Sequence, residues 1–176
     1  ANLSPAEIHG MKWLDRNGDG VKDIEGEPGL PQWTIYLDLN INGKLDYDST
    51  GVASEPFQLT DVHGEYSFTG LLPGTYVVAE VQGDHPWQQT YPTAANLNRH
   101  IVQVTSGDVI READFGNRRF GDCDQDGRVH QLELQQFSLA FHSEFGNPRI
   151  GEPGIGRYNV CFDYEPDGDV DFADLY

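Results

Sequence analysis

The sequence is poor in the residues that several classes of protein require. Only two cysteines and 11 lysines and arginines occur among 176 residues, against 29 aspartates and glutamates. The formal net charge of -18 argues against nucleic-acid binding, which needs a basic surface. No run of apolar residues is long enough to span a bilayer, so we expect no transmembrane segment.

The usual catalytic patterns are missing as well. None of the six histidines lies in a zinc spacing such as HExxH, and no GxSxG nucleophile elbow occurs. The two cysteines are not arranged as CxxC. We therefore predict that the protein is not an enzyme.

Acidic residues, by contrast, recur at a spacing typical of calcium loops. In a helix–loop–helix calcium site, oxygen ligands occupy positions 1, 3, 5, 7, 9 and 12, with glycine at position 6. Two C-terminal stretches keep this frame, with Gly127 and Gly168 at the turn. The predicted ligands are Asp122, Asp124, Asp126, the Arg128 carbonyl, His130 through water and Glu133 in one, and Asp163, Glu165, Asp167, the Asp169 carbonyl, Asp171 and Asp174 in the other.

Two N-terminal stretches follow the same frame less closely. The predicted ligands are Asp15, Asn17, Asp19, the Val21 carbonyl, Asp23 and Glu27 in the first, and Asp38, Asn40, Asn42, the Lys44 carbonyl and Asp46 in the second. Glu27 comes one residue late, so this loop either bulges or has Glu27 reaching back. The second stretch has no closing glutamate and should bind more weakly, with an ordinary Asn-Gly hairpin turn as the alternative. The sequence thus predicts up to four calcium ions.

The two cysteines, Cys123 and Cys161, each lie at the entrance to a C-terminal loop. A disulfide between them would clamp the loops and imply an oxidising compartment. Two free thiols are the alternative, because an even count does not establish a bridge. Loosely built calcium modules are useful outside cells, where calcium is abundant. Both arguments favour a secreted or cell-surface protein.

Short stretches rich in β-branched and aromatic residues alternate with turn signals up to residue 115. They predict about seven strands, in residues 11–14, 33–39, 58–60, 65–68, 75–81, 100–104 and 109–115, the last two as a hairpin around Ser106-Gly107. This spacing is typical of a β-sandwich. Trp13 and Trp33 should pack inside, whereas Trp87, in a loop at residues 84–88, is a candidate platform for a sugar.

Several segments resemble the serine-aspartate-repeat B-type domain, a calcium-binding relative of the collagen-adhesin B-type domain. They are GMKWLDRNGDGVKDIEGEPGLPQWTIYLDLN, TDVHGEYSFTGLLPGTYVVAEV, QTYP and DFGN. The resemblance covers about residues 8–119. It implies a seven-stranded prealbumin/Ig-like β-sandwich with a stalk or spacer role in a bacterial cell-surface or secreted protein.

Some adhesin B-type domains carry a lysine–asparagine isopeptide bond that a buried acid assists. By this resemblance Glu80 aligns with the acid and Asn117 with the asparagine, but Trp13 stands at the lysine position. Lys12 is one residue away and would face the opposite side of the strand. We therefore expect no crosslink, and expect hydrogen bonds to satisfy Glu80.

The C-terminal pair of loops, the second ending in DFADL, resembles a type I dockerin over about residues 121–176. The resemblance implies two calcium loops with helices that dock on a cohesin. A helical stretch is predicted from residue 130 to 141, with Leu134, Phe137 and Phe141 on one face. Leu132 and Phe172, at the recognition positions, are better suited to packing on a neighbour, so packing against the chain's own sandwich is the alternative.

The sequence therefore predicts a mostly β protein of two domains. Residues 1–119 would form a calcium-binding B-type β-sandwich, and residues 120–176 a small α-helical, dockerin-like module of the EF-hand type. The predicted function is that of a non-enzymatic, calcium-stabilised structural or adhesion module of a bacterial secreted or cell-surface protein. Docking to a cohesin-like partner and binding of a glycan or host-surface ligand are the alternatives.

Overall fold

The computed structural model describes residues 3–23, 25–82 and 87–121, together with residues 131, 135, 137, 143–144, 162 and 169–170. The chain divides into two compact units: residues 1–83 with 89–118, and residues 84–88 with 119–176. Among the described residues, no helix has the length and apolar character needed to cross a bilayer.

Strands dominate the described residues up to 121. They are β1 (Ala6–Leu14), β2 (Thr34–Leu37), β3 (Phe57–Leu59), β4 (Glu65–Leu71), β5 (Gly74–Glu80), β6 (Trp87–Tyr91), β7 (Arg99–Val104), β8 (Val109–Ile110) and β9 (Phe115–Arg119). A short 3-10 helix, Ala94–Asn96, lies between β6 and β7. The strands are more numerous than predicted because β6 was not expected and because the stretch 109–115 contributes to two separate strands.

The strands form two sheets, which confirms the predicted mostly β, sandwich-like fold. In the first sheet the order is β4-β1-β9-β6, with β8 also paired to β1; β8 and β9 run parallel to β1. In the second sheet the order is β3-β2-β5-β7, with antiparallel neighbours throughout. The first and last strands, β1 and β9, are therefore neighbours.

The predicted hairpin around Ser106-Gly107 is wrong. β7 pairs with β5 in the second sheet, whereas β8 and β9 pair with β1 in the first. The turn between them changes sheets. It is held by the Asp108 side chain, which accepts hydrogen bonds from the Thr105 backbone and hydroxyl at 2.7 and 2.9 Å.

The core lies between the sheets and is formed by side chains at alternate strand positions. Its buried members are Ala6, Ile8, Ile35, Leu37, Tyr66, Phe68, Val78, Val104, Ala113 and Phe115. Trp13 is also buried, as predicted, but on the other face of β1, where its ring meets Tyr91. Trp33 is only partly buried and packs against the core.

The second unit contains the strands β10 (Ser143–Glu144) and β11 (Asp169–Val170), which pair antiparallel. Phe162 is buried, and its ring meets that of Phe137 edge-on at 5.5 Å. The described positions 131, 135 and 137 are helical and fall within the predicted helical stretch. The cysteine pair and, apart from Asp169 in β11, the ligands predicted in the two C-terminal loops lie outside the described residues.

Candidate functional site

The first acidic loop, which we define as residues 15–27, begins where β1 ends. Asp15 is fully buried. Its carboxylate accepts hydrogen bonds from the backbone N–H groups of Gly18 at 2.7 Å and Gly20 at 2.8 Å. Gly20, at the predicted turn position, has a φ of +74°, which glycine adopts without steric cost. Asp15 thus anchors the loop to the end of the strand.

Glu27 closes this loop by reaching back, which is one of the two ways the sequence allowed. It is buried, and its two carboxylate oxygens accept hydrogen bonds from the backbone N–H groups of Arg16 at 2.9 Å and Asp23 at 2.8 Å. The two ends of the loop are therefore held by one side chain.

The other predicted ligands of the first loop meet around Asn17. Its side-chain amide donates to Asp19 Oδ2 at 3.1 Å and to Asp23 Oδ2 at 3.4 Å. Val21 donates its backbone N–H to Asp19 Oδ1 at 2.8 Å. The Asn17 amide thus lies between two carboxylates, at a place where electrostatics would favour a cation.

The second acidic loop, which we define as residues 38–55, begins where β2 ends. Asp38 is buried and accepts hydrogen bonds from the backbone N–H groups of Asn42 at 3.0 Å and Gly43 at 2.8 Å. Asp46 Oδ2 accepts from the side-chain amides of Asn40 at 2.6 Å and Asn42 at 2.8 Å. Lys44 contributes its backbone N–H to Asn42 Oδ1 at 3.0 Å.

Glu55 closes the second loop, which corrects the prediction that this loop has no closing glutamate. Glu55 is buried and accepts hydrogen bonds from the backbone N–H groups of Leu39 at 2.8 Å and Asp46 at 3.2 Å. These are the second and ninth positions of the loop, the same two that Glu27 joins in the first.

A repeated motif in the sequence could have revealed Glu55. WLDRNGDGVKD, residues 13–23, aligns with YLDLNINGKLD, residues 36–46, and in each case a Glu-Pro pair follows. The pairs are Glu27-Pro28 and Glu55-Pro56. The spacing to the glutamate differs between the copies, so the search for an acid at position 12 did not find it.

Negative charge is concentrated at the base of the second loop. Burial, followed by the charges of Asp38 and Glu55, raises the pKa of Tyr36 to about 12, while Arg99 acts in the opposite direction. Arg99 Nη1 lies 3.9 Å from Asp38 Oδ2. Arg99 is thus a positive side chain within ion-pair distance of one of these carboxylates.

The donor atoms of both loops suit calcium, which takes carboxylate, amide and carbonyl oxygens. No cluster of three histidine, cysteine, aspartate or glutamate side chains suited to a metal occurs among the described residues. In each loop, asparagine amide protons fill the space beside the carboxylates. Turning such an amide over would replace its N–H donors with an oxygen ligand. The residues present therefore fit calcium.

A second candidate site lies inside the sandwich, where Lys12 of β1, Glu80 of β5 and Asn117 of β9 meet. Lys12 Nζ lies 2.5 Å from Glu80 Oε2, and the Asn117 amide donates to Glu80 Oε1 at 2.8 Å. All three residues are buried. The expectation that Lys12 faces away from the core is wrong, because Trp13 takes the outer face of β1 against Tyr91.

The surroundings of this cluster favour neutral groups. Burial lowers the pKa of Lys12 to about 8, and burial also raises the pKa of Glu80. Lys12 Nζ lies 4.4 Å from the centroid of the Trp33 ring. Asn117 Oδ1 is buried and has no hydrogen-bond partner among the described residues. Hydrogen bonds satisfy Glu80, as predicted, but one of them comes from a lysine.

Trp87 does not lie in a loop, contrary to the prediction. It begins β6 and is half-buried. The Arg119 guanidinium lies 5.0 Å from the centroid of its ring, so one face of the ring is covered and cannot stack on a sugar.

The model of the SdrD B-like domain family matches residues 6–104. The chain belongs to this family. The match supports the resemblance to B-type domains and ends before the predicted dockerin-like segment, to which it lends no support.

Colossin-A and two solved pilin structures are similar to this chain over part of their own length. Colossin-A of Dictyostelium discoideum is 26% identical over 100 residues, which are 57% of this chain and 1% of that protein. GBS52, the minor pilin of Streptococcus agalactiae, has a TM-score of 0.42 at 15% identity, covering 66% of this chain and 45% of the pilin. A streptococcal ancillary pilin has a TM-score of 0.44 at 15% identity, covering 68% of this chain and 34% of that pilin. This chain spans less than half the length of each of these three proteins.

Proposed function

We propose that this SdrD B-like chain is a non-enzymatic structural module of a secreted or cell-surface protein, and that calcium in its two acidic loops stabilises it. The observation that carries this proposal is the matched build of the loops. Each has a buried aspartate at its first position. Each also has a buried glutamate that accepts hydrogen bonds from the backbone N–H groups of the residues at the second and ninth positions.

Calcium would stabilise the module by neutralising carboxylates that otherwise repel one another. In the first loop these are Asp15, Asp19, Asp23 and Glu27; in the second they are Asp38, Asp46 and Glu55. The first loop continues from β1 of one sheet, and the second connects β2 to β3 of the other. Ordering both loops would therefore fix strand ends in both sheets, which is what a rigid spacer requires.

Native mass spectrometry of the full chain, with and without chelator, tests the proposal. We expect bound calcium, and we expect Asp23→Ala and Asp46→Ala each to remove one ion. Asp61→Ala, in an exposed turn outside the loops, is the matched control and should leave the count unchanged. A wild-type chain that retains no calcium, or a count that neither loop variant changes, would overturn the proposal.

We also propose that Lys12 and Asn117 become joined by an isopeptide bond, which would fasten the first strand of the sandwich to the last. Lys12 pairs with Phe115 and Leu14 with Asn117 in the parallel β1–β9 register, so Lys12 and Asn117 are diagonal neighbours on one face. The shared partner Glu80 supports this proposal, because one buried carboxyl group contacts both reacting side chains.

The chemistry balances without a further reagent. The uncharged Lys12 Nζ attacks Asn117 Cγ, a new C–N bond forms, and the bond from Cγ to Nδ2 breaks. Glu80 takes the proton that Nζ loses and delivers it to Nδ2, which leaves as ammonia. Burial favours this step because the lowered pKa of Lys12 raises the fraction of nucleophilic amine, and the raised pKa of Glu80 keeps an acid available.

Intact-mass measurement of the reduced, denatured chain tests the crosslink. We expect a mass below that of the sequence by one molecule of ammonia. Glu80→Gln, which keeps the shape of the side chain but cannot shuttle the proton, should have the full mass. Lys12→Met serves as a second control. Full mass in the wild-type chain would contradict the crosslink without affecting the calcium proposal.

A further inference from the structure

Arg99, the first residue of β7, lies at the base of the second acidic loop. Its side chain is 17% exposed, and its Nη1 lies 3.9 Å from Oδ2 of the buried Asp38. Its Nε is buried and has no hydrogen-bond partner among the described residues. A largely buried guanidinium needs a nearby negative charge, since desolvation of a lone ion is costly. Asp38 is the carboxylate that lies within ion-pair distance.

Asp15, the equivalent aspartate of the first loop, forms no ion pair with a lysine or arginine among the described residues. Lys22 contacts the Glu27 carbonyl at 3.4 Å, and the Arg118 side chain lies beside Gly18. The first loop also has an acid, Asp19, where the second has Asn42. The second loop thus contains one carboxylate fewer and has a cation at its base.

We propose that Arg99 is the resident cation of the second acidic loop. It supplies at Asp38 part of the positive charge that calcium would supply, so this loop keeps its shape without an ion and binds calcium more weakly than the first loop. This inference rests on the proposed calcium function. It assigns Arg99 a positioning role: the residue acts through Asp38 and does not itself bind the ion.

The test compares Arg99→Gln with Arg111→Gln in the full chain. Both remove one positive charge, but Arg111 is exposed and makes no ion pair among the described residues. Arg99→Lys keeps the charge and should restore wild-type behaviour. Melting temperatures are measured in chelator and over a calcium titration, and calcium affinity is measured calorimetrically, with Asp46→Ala added to each variant to identify the second-loop site.

In chelator we expect Arg99→Gln to melt below Arg111→Gln and Arg99→Lys. In calcium we expect this difference to shrink, because the ion replaces the missing charge. Removing a cation about 4 Å from a ligand should tighten calcium binding at the second loop roughly five-fold. This gain should disappear in the Asp46→Ala background.

Equal melting of Arg99→Gln and Arg111→Gln in chelator, or unchanged calcium affinity at the second loop, would overturn the role of Arg99. A wild-type chain that does not bind calcium would instead refute the proposed function. The melting temperatures in chelator would then decide the matter: a deficit specific to Arg99→Gln supports a resident cation, and equal values contradict it.

Discussion

The two acidic loops share one hydrogen-bond pattern but differ in the number of charged groups and in backbone strain. In both, an aspartate at the end of a strand accepts hydrogen bonds from the turn, and a later glutamate joins the second and ninth positions. The fourth position is Gly18 in the first loop and Ile41 in the second, and both have a positive φ, 72° and 63°. The hydrogen bonds to the acidic side chains therefore determine the shared backbone conformation of the loops. The number of carboxylates and the backbone strain differ between them.

Removing the closing glutamates should have the largest effect. Glu27→Ala and Glu55→Ala each leave two backbone N–H groups without their charged acceptor, so each should cost about 3 kcal/mol of unfolding free energy. Urea unfolding in chelator measures this loss. Glu25→Ala, at an exposed position of the first loop, is the control and should be close to neutral. A large effect at Glu27 with none at Glu55 would show that the loops are not built alike.

Exchanging the acid at the fifth position should change calcium affinity in opposite directions. Asp19→Asn removes a carboxylate from the first loop and should weaken its binding about ten-fold, whereas Asn42→Asp should strengthen binding at the second loop by a similar factor. Isothermal titration calorimetry measures both. If the affinities do not follow the number of carboxylates, the charge difference between the loops has no functional meaning.

Exchanging the residue at the fourth position should change stability less. Gly18→Ala places a Cβ about 3.1 Å from the Arg118 side chain and at a positive φ, so we expect a loss of about 1 kcal/mol. Ile41→Asn puts a residue that tolerates this conformation at an exposed site and should gain about 0.5 kcal/mol. Thermal melting in chelator measures both changes, and a stabilising Gly18→Ala would contradict the assignment of strain.

The smallest expected effect is a pH dependence near the end of the second loop. Hydrogen bonds from the Thr50 hydroxyl and from the backbone of Val52 and Thr50 lower the pKa of Asp48. A lowered pKa contributes stability at neutral pH that is lost as the pH falls through the folded-state value, below about 4. The Asp48→Asn variant should therefore be slightly less stable at neutral pH and equal to the wild type once the pH falls below the folded-state pKa of Asp48. Acid unfolding followed by circular dichroism measures the difference, and a constant deficit at all pH values would contradict it.

The fold and the loops were largely predictable from local patterns. Strand signals predicted most strands of the sandwich but not β6, and alternating acids with an in-frame glycine located both loops; calcium ligation by Asp15 and Asp38 stays a prediction. Glu55 was missed because its distance along the chain differs from that of Glu27, so only the fold shows that both occupy the same place. The dockerin-like segment, its cohesin-like partner and a glycan ligand stay predictions.

The direction of the Lys12 side chain could not be deduced from the sequence of β1 alone. Where a lysine stands beside a tryptophan in a strand, the tryptophan ordinarily faces the core, which predicts Lys12 on the outer face of β1. Both faces of β1 are covered, however. On the inner face Lys12 contacts Glu80, which belongs to β5 of the other sheet, and on the outer face Trp13 meets Tyr91. Whether a charged side chain can be buried depends on a partner that is distant in sequence, and local periodicity does not reveal that partner.

The central claim, that calcium in both acidic loops stiffens the module, is tested most directly by the melting temperature of the full chain in calcium and in chelator, for the wild type and for the double variant Asp23→Ala/Asp46→Ala. Among the described residues, the hydrogen bonds that these two carboxylates accept come from asparagine amides, so their loss should change little in chelator. We predict that calcium raises the melting temperature of the wild type and raises that of the double variant much less. An equal rise in both, or no rise in the wild type, would contradict the claim.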